Sequence, residues 1–544
     1  MALKRISDFP SKDTLLIHIN WIQQQSRARF FIAGSLSFGL IFFLYCLFVA
    51  EGNDLVNAPI MGSKIRILGN FRFFFDASPV QKGYNKVCGD FENYSEGAKT
   101  HNNQFRNSMF KLAGGSILII SNNYAEELRN VGEPILSQTE AISFQGIYST
   151  VNILTESNLH ARVIQSKINH QLSHIISMSD DELRFVLEEI PANKGKSSDP
   201  CDTWTPEVSF DRFMRLITCI TARLFVGSPL CRDEEWLSTT IKFSENAWKL
   251  AIFLRLFPDS LKPLIQIFCP AAWELSKYRK KAQNIITPII IERRQAEAAG
   301  NESYKKPNDF LQWMMDDANE FDGRPDKLAH RLLIMTLASS FTTTMAVTQT
   351  FFDLCARPEY IEPLREEIRD AVQNDGGLWS KKALTRMRKL DSFMKESQRT
   401  NPPSLLGFKR KVRVPITLSD GVHLPKNSTF FMAIGPPGQD EAVVADPTQF
   451  KGFRHFNERL KPGECNLHQF ITTDKNTMHF GHGKYACPGR FFASNVIKLI
   501  LGHLLSEYEF RFLDGTGRPC NIEVLEYIFP DPEAQVLFRR RAEA

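Results

Sequence analysis

The hydrophobic residues of this 544-residue chain form one long apolar run, several helical periodicities and a few short alternations. Residues 30–50 carry no charge and are long enough to cross a bilayer as a single helix. Farther along, apolar residues recur with helical spacing over 158–178, 212–226, 235–254, 271–299 and 491–505. The pattern predicts a mainly helical protein that follows one N-terminal membrane-spanning helix.

A second run without charge lies between Arg331 and Asp353. The segment 328–352 would measure about 35 Å as a helix, so a second membrane span is one interpretation. Six threonines, two serines and Gln349 make the segment too polar for lipid. We therefore expect a long helix through the middle of a soluble core.

Alternating apolar and polar residues predict small β-sheets in a protein of mainly α class (α+β). One run extends over 411–418, and Asp420-Gly421 then turns the chain. Further strands are expected at 116–121, 430–434, 508–513 and 534–538.

The N-terminal residues divide into a surface segment, 1–29, and a transmembrane anchor, 30–50, ahead of a folded body over 51–544. Leu15, Ile19, Trp21 and Ile22 predict that the first segment is amphipathic and lies at the membrane surface. A secretory signal is the alternative, but the apolar run is too long and no small-residue cleavage site follows it cleanly.

Composition argues against several classes of protein. With 43% hydrophobic and 23% charged residues, the chain is globular rather than disordered. A net charge of +5 and the absence of a basic run interleaved with aromatics argue against nucleic-acid binding. The 10 cysteines include no C-x-x-C pair, which favours free thiols in a reducing compartment.

Cys487 ends a glycine-rich loop, residues 480–490 (FGHGKYACPGR), just before a predicted helix. The N–H groups of Gly489 and Arg490 and the helix dipole are expected to favour a thiolate there. A thiolate on such a loop suits haem iron as an axial ligand. The alternatives are a buried structural cysteine, or a zinc site with His479 and His482, which lacks a fourth ligand.

Glu396 and Arg399 form an E-x-x-R pair on one helix face, and Asn401-Pro402-Pro403 ends that helix. Taken alone, such a pair is a common surface feature. Arg454 can supply a second arginine, and a carboxylate shared by two arginines tolerates burial.

Together these features resemble the cytochrome P-450 superfamily, the haem-thiolate monooxygenases. The loop matches F-x-x-G-x-x-x-C-x-G, segment 338–343 (ASSFTT) matches the middle of the long central helix, and E-x-x-R and the second arginine follow in the family order. The resemblance covers about residues 300–510 in detail. The runs FGHGKYACPGRFFA and LASSFTTT are similar to filamentous-fungal members that act in terpenoid and other secondary metabolism.

The resemblance implies the P-450 fold, with 51–544 as its catalytic domain, and haem b as cofactor. Cys487 would be the axial ligand of the iron, and Glu396, Arg399 and Arg454 would be structural. Thr342 would be catalytic, with substrate against Phe341, Ser404 and Leu405. The residues expected to bind the cofactor are Cys487, Phe480, Gly483, Lys484, Tyr485 and Gly489.

Two positions depart from the family pattern. Phe341 stands where most members carry an acid that helps to deliver protons. Tyr485 stands where a His or Arg commonly meets a haem propionate, and a phenol brings no charge. Lys484 or an arginine elsewhere must then offset the propionates.

The expected activity is NADPH-dependent oxidation of a hydrophobic small molecule, a terpenoid or other fungal secondary metabolite. No G-x-G-x-x-G pattern occurs, so electrons must come from a separate NADPH-cytochrome reductase flavoprotein. Lys409 to Arg413, Lys484 and Arg490 are candidates for its basic docking face. Two alternatives stay open: a haem-thiolate isomerase or dehydratase without a reductase, and an inactive membrane-anchored haem protein.

The expected location is the endoplasmic reticulum membrane, with a single pass, contact with membrane lipid and the catalytic domain in the cytosol. Lys12, Arg27 and Arg29 precede the anchor, and this charge bias weakly favours the opposite orientation. The family resemblance and the free cysteines favour a cytosolic body.

Overall fold

A computed structural model describes residues 75, 78–80, 82, 109–112, 117–142, 150–189, 204–257, 262–300 and 304–541. The predicted surface segment 1–29 and the predicted anchor 30–50 lie outside the described residues.

Helices make up most of the described residues, in agreement with the periodicity. Those before the central helix are α1 (Ala125–Leu128), α2 (Gln138–Ile142), α3 (Ile153–Glu156), α4 (Leu159–Val163), α5 (Leu172–Leu187), α6 (Ser209–Val226), α7 (Glu234–Leu254), α8 (Lys262–Phe268), α9 (Pro270–Ala298) and α10 (Phe310–Asp317). The central helix and those after it are α11 (Pro325–Thr336), α12 (Thr342–Cys355), α13 (Ile361–Gln373), α14 (Lys381–Arg386), α15 (Arg388–Thr400), α16 (Arg454–Glu458) and α17 (Arg490–Glu507).

The central helix consists of α11 and α12, joined by a π-helical turn at Leu337–Phe341. Within the described ranges, it is the one helix long and apolar enough to cross a membrane by length and composition. Its most apolar window is 67% buried inside the protein, and α6, α15 and α17 pack against α12. The prediction of a helix through the core is confirmed.

The strands form small sheets beside this helical body. They are β1 (Met109–Leu112), β2 (Ile117–Ile120), β3 (Leu136–Ser137), β4 (Thr205–Val208), β5 (Leu406–Val412), β6 (Ile416–Thr417), β7 (His423–Leu424), β8 (Thr429–Ala433), β9 (Tyr508–Phe512), β10 (Ile522–Val524), β11 (Tyr527–Phe529) and β12 (Gln535–Arg540). One sheet has the order β1-β2-β8-β5-β3 and another β4-β12-β9, while β6–β7 and β10–β11 are two-stranded.

The strand predicted at 411–418 is wrong in its position. Strand β5 ends at Val412, the chain bends, and Val414 is 49% exposed instead of facing the core. Pro415 explains the break, because proline lacks an N–H for the ladder and restricts the residue before it. The remainder of the run pairs as β6 with β7 around the predicted Asp420-Gly421 turn.

His503 on α17 joins two helices through a buried charge cluster. Its Nε2 lies 2.6 Å from Asp180 Oδ1 on α5, its Nδ1 lies 2.7 Å from Glu507 Oε1, and its ring stacks on Trp379. Burial opposes the charged imidazolium, but the hydrogen bonds with both carboxylates outweigh it and raise the pKa of His503 above 6.5.

This cluster predicts a pH-dependent contribution to stability. A raised folded-state pKa stabilises the protein fully below the unfolded pKa, and the effect disappears as pH rises through the folded-state pKa. We expect His503→Gln to lower the unfolding temperature clearly at pH 6 and by less at pH 9. Thermal unfolding at both pH values measures this, with the exposed His423→Gln as control. An equal loss at both pH values would show that His503 acts through packing alone.

Candidate functional site

The loop around Cys487 is held in a closed conformation at the start of α17. The Cys487 N–H donates to the Phe480 carbonyl (2.6 Å), and the Arg490 guanidinium donates to the Cys487 carbonyl (2.8 Å). Gly483 has a positive φ of 71°, and a Cβ there would lie 2.6 Å from the Arg129 carbonyl oxygen. Glycine is therefore required where the loop passes over residue 129.

The other loop residues predicted to bind the cofactor surround this turn. A Cβ on Gly489 would lie 4.0 Å from Cys487 Sγ, so the sulfur lies close to the start of α17. Phe480 packs edge-on against Phe470. Lys484 is exposed, with its Nζ 5.7 Å from the centroid of the Tyr485 ring.

The prediction that Cys487 favours a thiolate is wrong for the protein without a bound metal. Burial raises the pKa of the Cys487 thiol, and the Gly489 N–H and the Arg490 charge offset this only in part. A metal ion that binds the sulfur deprotonates such a thiol outright. The loop therefore holds the sulfur in position, and a metal bound to the sulfur would favour its ionised form.

A zinc site at this loop finds no support in the described residues. His482 is buried between Glu126 Oε1 (2.9 Å) and Thr473 Oγ1 (3.1 Å), so both ring nitrogens are engaged. Burial lowers the pKa of His479 to about 4. No group of three His, Cys, Asp or Glu side chains with metal-binding geometry occurs in the part of the chain that the structure describes.

Arg410 on β5 places a buried cation beside the loop. Its side chain is fully buried, and its guanidinium carbon lies 4.8 Å from the centroid of the Tyr485 ring. Nη1 donates to the Lys409 carbonyl, but Nε has no acceptor and no carboxylate forms an ion pair with Arg410 among the described residues. Burial lowers the pKa of Arg410 to about 10, so it stays charged at neutral pH.

The Tyr485 hydroxyl is also buried and, within the described ranges, has no hydrogen-bond partner. Buried polar groups normally find partners, and a buried charge needs a counter-charge. A guanidinium and a phenol with free donors, next to a cysteine on a glycine-rich loop, therefore fit an anionic group such as a haem propionate. The residues present suit a haem with thiolate-ligated iron.

Sequence reasoning missed Arg410 and treated it as part of a basic surface run. In β5 the side chains alternate, and Arg410 shares the buried face of Phe408 and Val412. This alternation along the strand could have identified Arg410 as buried. Lys409 is also engaged internally, with its Nζ 3.0 Å from the buried Glu526, so neither Lys409 nor Arg410 is available to the predicted docking face.

Glu396 on α15 is completely buried and lies between the two predicted arginines. Arg399 donates to both carboxylate oxygens (2.8 and 2.9 Å), and Arg454 Nε lies 3.2 Å from Oε2. The Lys451 backbone N–H supplies a further bond of 2.9 Å.

The two guanidiniums also fasten the irregular chain that precedes the cysteine loop. Arg399 donates to the carbonyls of Gly438 (2.6 Å) and Pro447 (2.8 Å), and Arg454 donates to that of Gln449 (3.1 Å). The cluster thus ties α15 to the segment 438–454, and through it supports the loop of Cys487.

Thr342 lies at the π-helical turn of the central helix. Its hydroxyl donates to the Ala338 carbonyl (2.8 Å), and both residues are exposed although Thr343 and Thr344 beside them are buried. This face of the helix therefore lines an open cleft. π-Helical turns inside α-helices occur frequently at functional sites.

Phe341 connects the central helix to the predicted substrate residues Ser404 and Leu405. The Phe341 ring stacks on Trp248 of α7 at 5.4 Å, and Trp248 contacts the Tyr527 ring edge-on at 5.0 Å. Ser404 pairs with Tyr527 through a β-bridge, and the Leu405 N–H donates to the Glu526 carbonyl. One aromatic wall thus joins the predicted pocket residues.

Comparisons with known proteins bear on the family to which the chain belongs. Residues 137–538 match the model of the family described as Cytochrome P450. The chain is 48% identical over 460 residues to "Cytochrome P450 monooxygenase AN1598" of Emericella nidulans, covering 83% of this chain and 85% of that protein. It is 39% identical to "Cytochrome P450 monooxygenase paxP" of Penicillium paxilli, covering 87% of each.

Two further matches bear on substrate and on fold. "Ent-kaurene oxidase" of Gibberella intermedia is 36% identical over 521 residues, covering 93% of this chain and 92% of that protein. A solved structure, "Retinoic acid bound cyanobacterial CYP120A1", superposes with a TM-score of 0.60 at 17% identity, over 85% of this chain and 96% of the other. At that identity the superposition supports the fold only.

Proposed function

The chain belongs to the cytochrome P450 family and is a monooxygenase with a haem-thiolate cofactor, and we propose that it oxidises a terpenoid or similar fungal secondary metabolite. The aromatic wall of Trp248, Phe341 and Tyr527 carries this proposal, because such a surface suits a rigid apolar skeleton. The similarity to a protein named ent-kaurene oxidase supports the terpenoid class.

Cys487 would hold the iron of haem b, and Arg410 and Tyr485 would bind one of its propionates. When bound, thiolate-ligated haem supplies the oxygen-activating chemistry. Arg410 would contribute the positive charge that Tyr485 lacks, in a buried site where water screens it little. The loop glycines would let the backbone approach the cofactor plane.

Thr342 would position protons in the open cleft that its face of the central helix lines. Its hydroxyl hydrogen points to the Ala338 carbonyl, so its oxygen lone pairs face the cleft and can accept from a water molecule. Phe341 has no ionisable proton to deliver and would instead bind substrate. Ser404 and Leu405 would close the opposite side of the cleft.

The proposed electron donor is an NADPH-cytochrome reductase flavoprotein, and the proposed location is the endoplasmic reticulum. Segments 1–29 and 30–50 would hold the domain 51–544 on the cytosolic face. Lys484 is exposed and can contribute to a docking surface.

Microsomes that contain the enzyme and a fungal reductase test the proposed function. We expect a product with one added oxygen from at least one member of a terpenoid panel, only when NADPH is present. Product without NADPH would instead favour the isomerase or dehydratase. Absence of product from the whole panel, despite normal haem content, would favour the inactive haem protein.

Thr342→Ala is expected to fold and bind haem but to lower the product formed per NADPH oxidised at least tenfold. Positioned proton transfer is worth about 10²–10⁴ in rate, and Phe341 cannot substitute for the missing hydroxyl. Thr342→Ser should recover much of the ratio.

Thr348→Ala is the matched control, because Thr348 makes the same helical back-bond, to Thr344, but is buried. Its ratio of product to NADPH should match the wild type. An unchanged ratio in Thr342→Ala would assign proton delivery elsewhere and leave Thr342 as a packing residue.

A further inference from the structure

Trp248 lies at the centre of the aromatic wall. Its ring stacks on Phe341 (5.4 Å, interplanar angle 29°) and meets Tyr527 and Phe529 edge-on at 5.0 and 6.3 Å. Phe210 and Phe529 pack edge-on against Phe341. The indole, on α7, is therefore held by rings from the central helix and from β11, while Phe210 of α6 packs on Phe341.

The indole N–H of Trp248 is a buried donor that has no acceptor among the described residues. A buried tryptophan N–H usually finds a partner, and one left without a partner is costly. The rings around it offer no oxygen or nitrogen acceptor except the Tyr527 hydroxyl, which accepts from Lys409 Nζ at 3.3 Å.

A bound water is a poor partner for this N–H. An ordered buried water needs two to four polar contacts, and phenyl rings supply none. An oxygen atom on an apolar molecule can accept from the same N–H without further polar contacts, because the apolar skeleton of that molecule packs against the rings.

One carboxylate and two cations adjoin the Tyr527 end of the wall. Glu526 is completely buried and lies 2.8 Å from Arg255 and 3.0 Å from Lys409. These cations hold the pKa of Glu526 at about 2 despite its burial. Glu526 is thus engaged by these cations and does not accept from the Trp248 N–H, whose acceptor has to come from a bound molecule.

We infer that Trp248 Nε1 donates a hydrogen bond to a hydroxyl or carbonyl oxygen of the substrate. Trp248 is thus a specificity-determining residue, and the substrate is a polycyclic apolar molecule that already carries oxygen. This inference rests on the proposed function. In the reaction sequence, an oxygen-introducing step would then act before this enzyme, and a hydrocarbon taken directly from a cyclisation would bind about tenfold less tightly than its oxygenated product.

Ligand binding to the haem-loaded full-length enzyme tests the inference without turnover. The probes are two rigid hydrocarbons, perhydrophenanthrene and 5α-androstane, and their monoketones with the carbonyl at either end. Shift of the haem Soret band on titration gives each dissociation constant. We expect at least one ketone to bind wild type about tenfold more tightly than its hydrocarbon, the factor that 1.4 kcal/mol supplies.

Trp248→Phe keeps an aromatic ring and removes the N–H. The ketone preference should fall to within about threefold, while hydrocarbon affinity changes little. Trp236→Phe is the matched control, since Trp236 lies on the same helix about 18 Å away and is buried in the main core. That variant should keep the tenfold preference.

Three results would overturn the inference: no ketone preference in wild type, a preference that survives in Trp248→Phe, or an equal loss of ketone and hydrocarbon binding. The last would assign Trp248 to packing. These failures are separate from failure of the proposed function, which would show as absence of NADPH-dependent product from the whole terpenoid panel in wild type.

Discussion

Glu396→Ala is expected to yield almost no folded, haem-loaded protein. Its carboxylate is completely buried and accepts from Arg399, Arg454 and the Lys451 backbone, so its removal leaves two guanidiniums without their anion. Leaving a buried charge without its partner costs about 3–5 kcal/mol, a large share of the stability of a typical domain. Haem content per mole of purified protein, after expression under matched conditions, measures the effect.

The chain supplies a control with the same motif. Glu362 and Arg365 on α13 also form an E-x-x-R pair, at 2.6 Å, but the Glu362 side chain is 63% exposed. The buried Arg365 keeps Glu509 at 3.0 Å when the exposed Glu362 is removed, so Glu362→Ala should express with normal haem content. If Glu396→Ala also keeps normal haem content, the cluster does not support the loop and its structural assignment is wrong.

Cys487→Ser is expected to lose all NADPH-dependent product formation while it keeps the fold. Serine conserves the size of the side chain and the Cys487 N–H bond to Phe480, but an alcohol does not replace the electron donation of a thiolate. Product formation in reconstituted membranes is the measurement, and circular dichroism checks the fold. Cys465→Ser, which changes an exposed thiol, should retain wild-type activity. Activity in Cys487→Ser would assign the iron ligand to another residue.

The parts of the fold that were predictable from sequence are those with strong local signals. The central helix followed from an uncharged, threonine-rich run, and the end of α15 at Thr400 followed from Pro402 and Pro403. Strand β5 was misplaced because its buried face includes Arg410, whose charge interrupts the apolar alternation of Phe408 and Val412.

The site was predictable only where a motif fixes it. The acidity of Cys487 was misjudged because burial, which depends on the whole fold, outweighs two local N–H groups. Trp248 gave no sequence signal at all, since its neighbours Phe341 and Tyr527 are distant in sequence and its missing acceptor is visible only in three dimensions. The two E-x-x-R pairs differ in the same way, in burial and not in spacing.

The absorption spectrum of the dithionite-reduced enzyme under carbon monoxide tests the central claim most directly. It reports the axial ligand of the haem and needs neither substrate nor reductase. We predict the red-shifted Soret band of thiolate-ligated haem in wild type, and its absence in Cys487→Ala at comparable protein yield. Persistence of that band in Cys487→Ala, or its absence from wild type that contains haem, would contradict the assignment of Cys487 as the ligand.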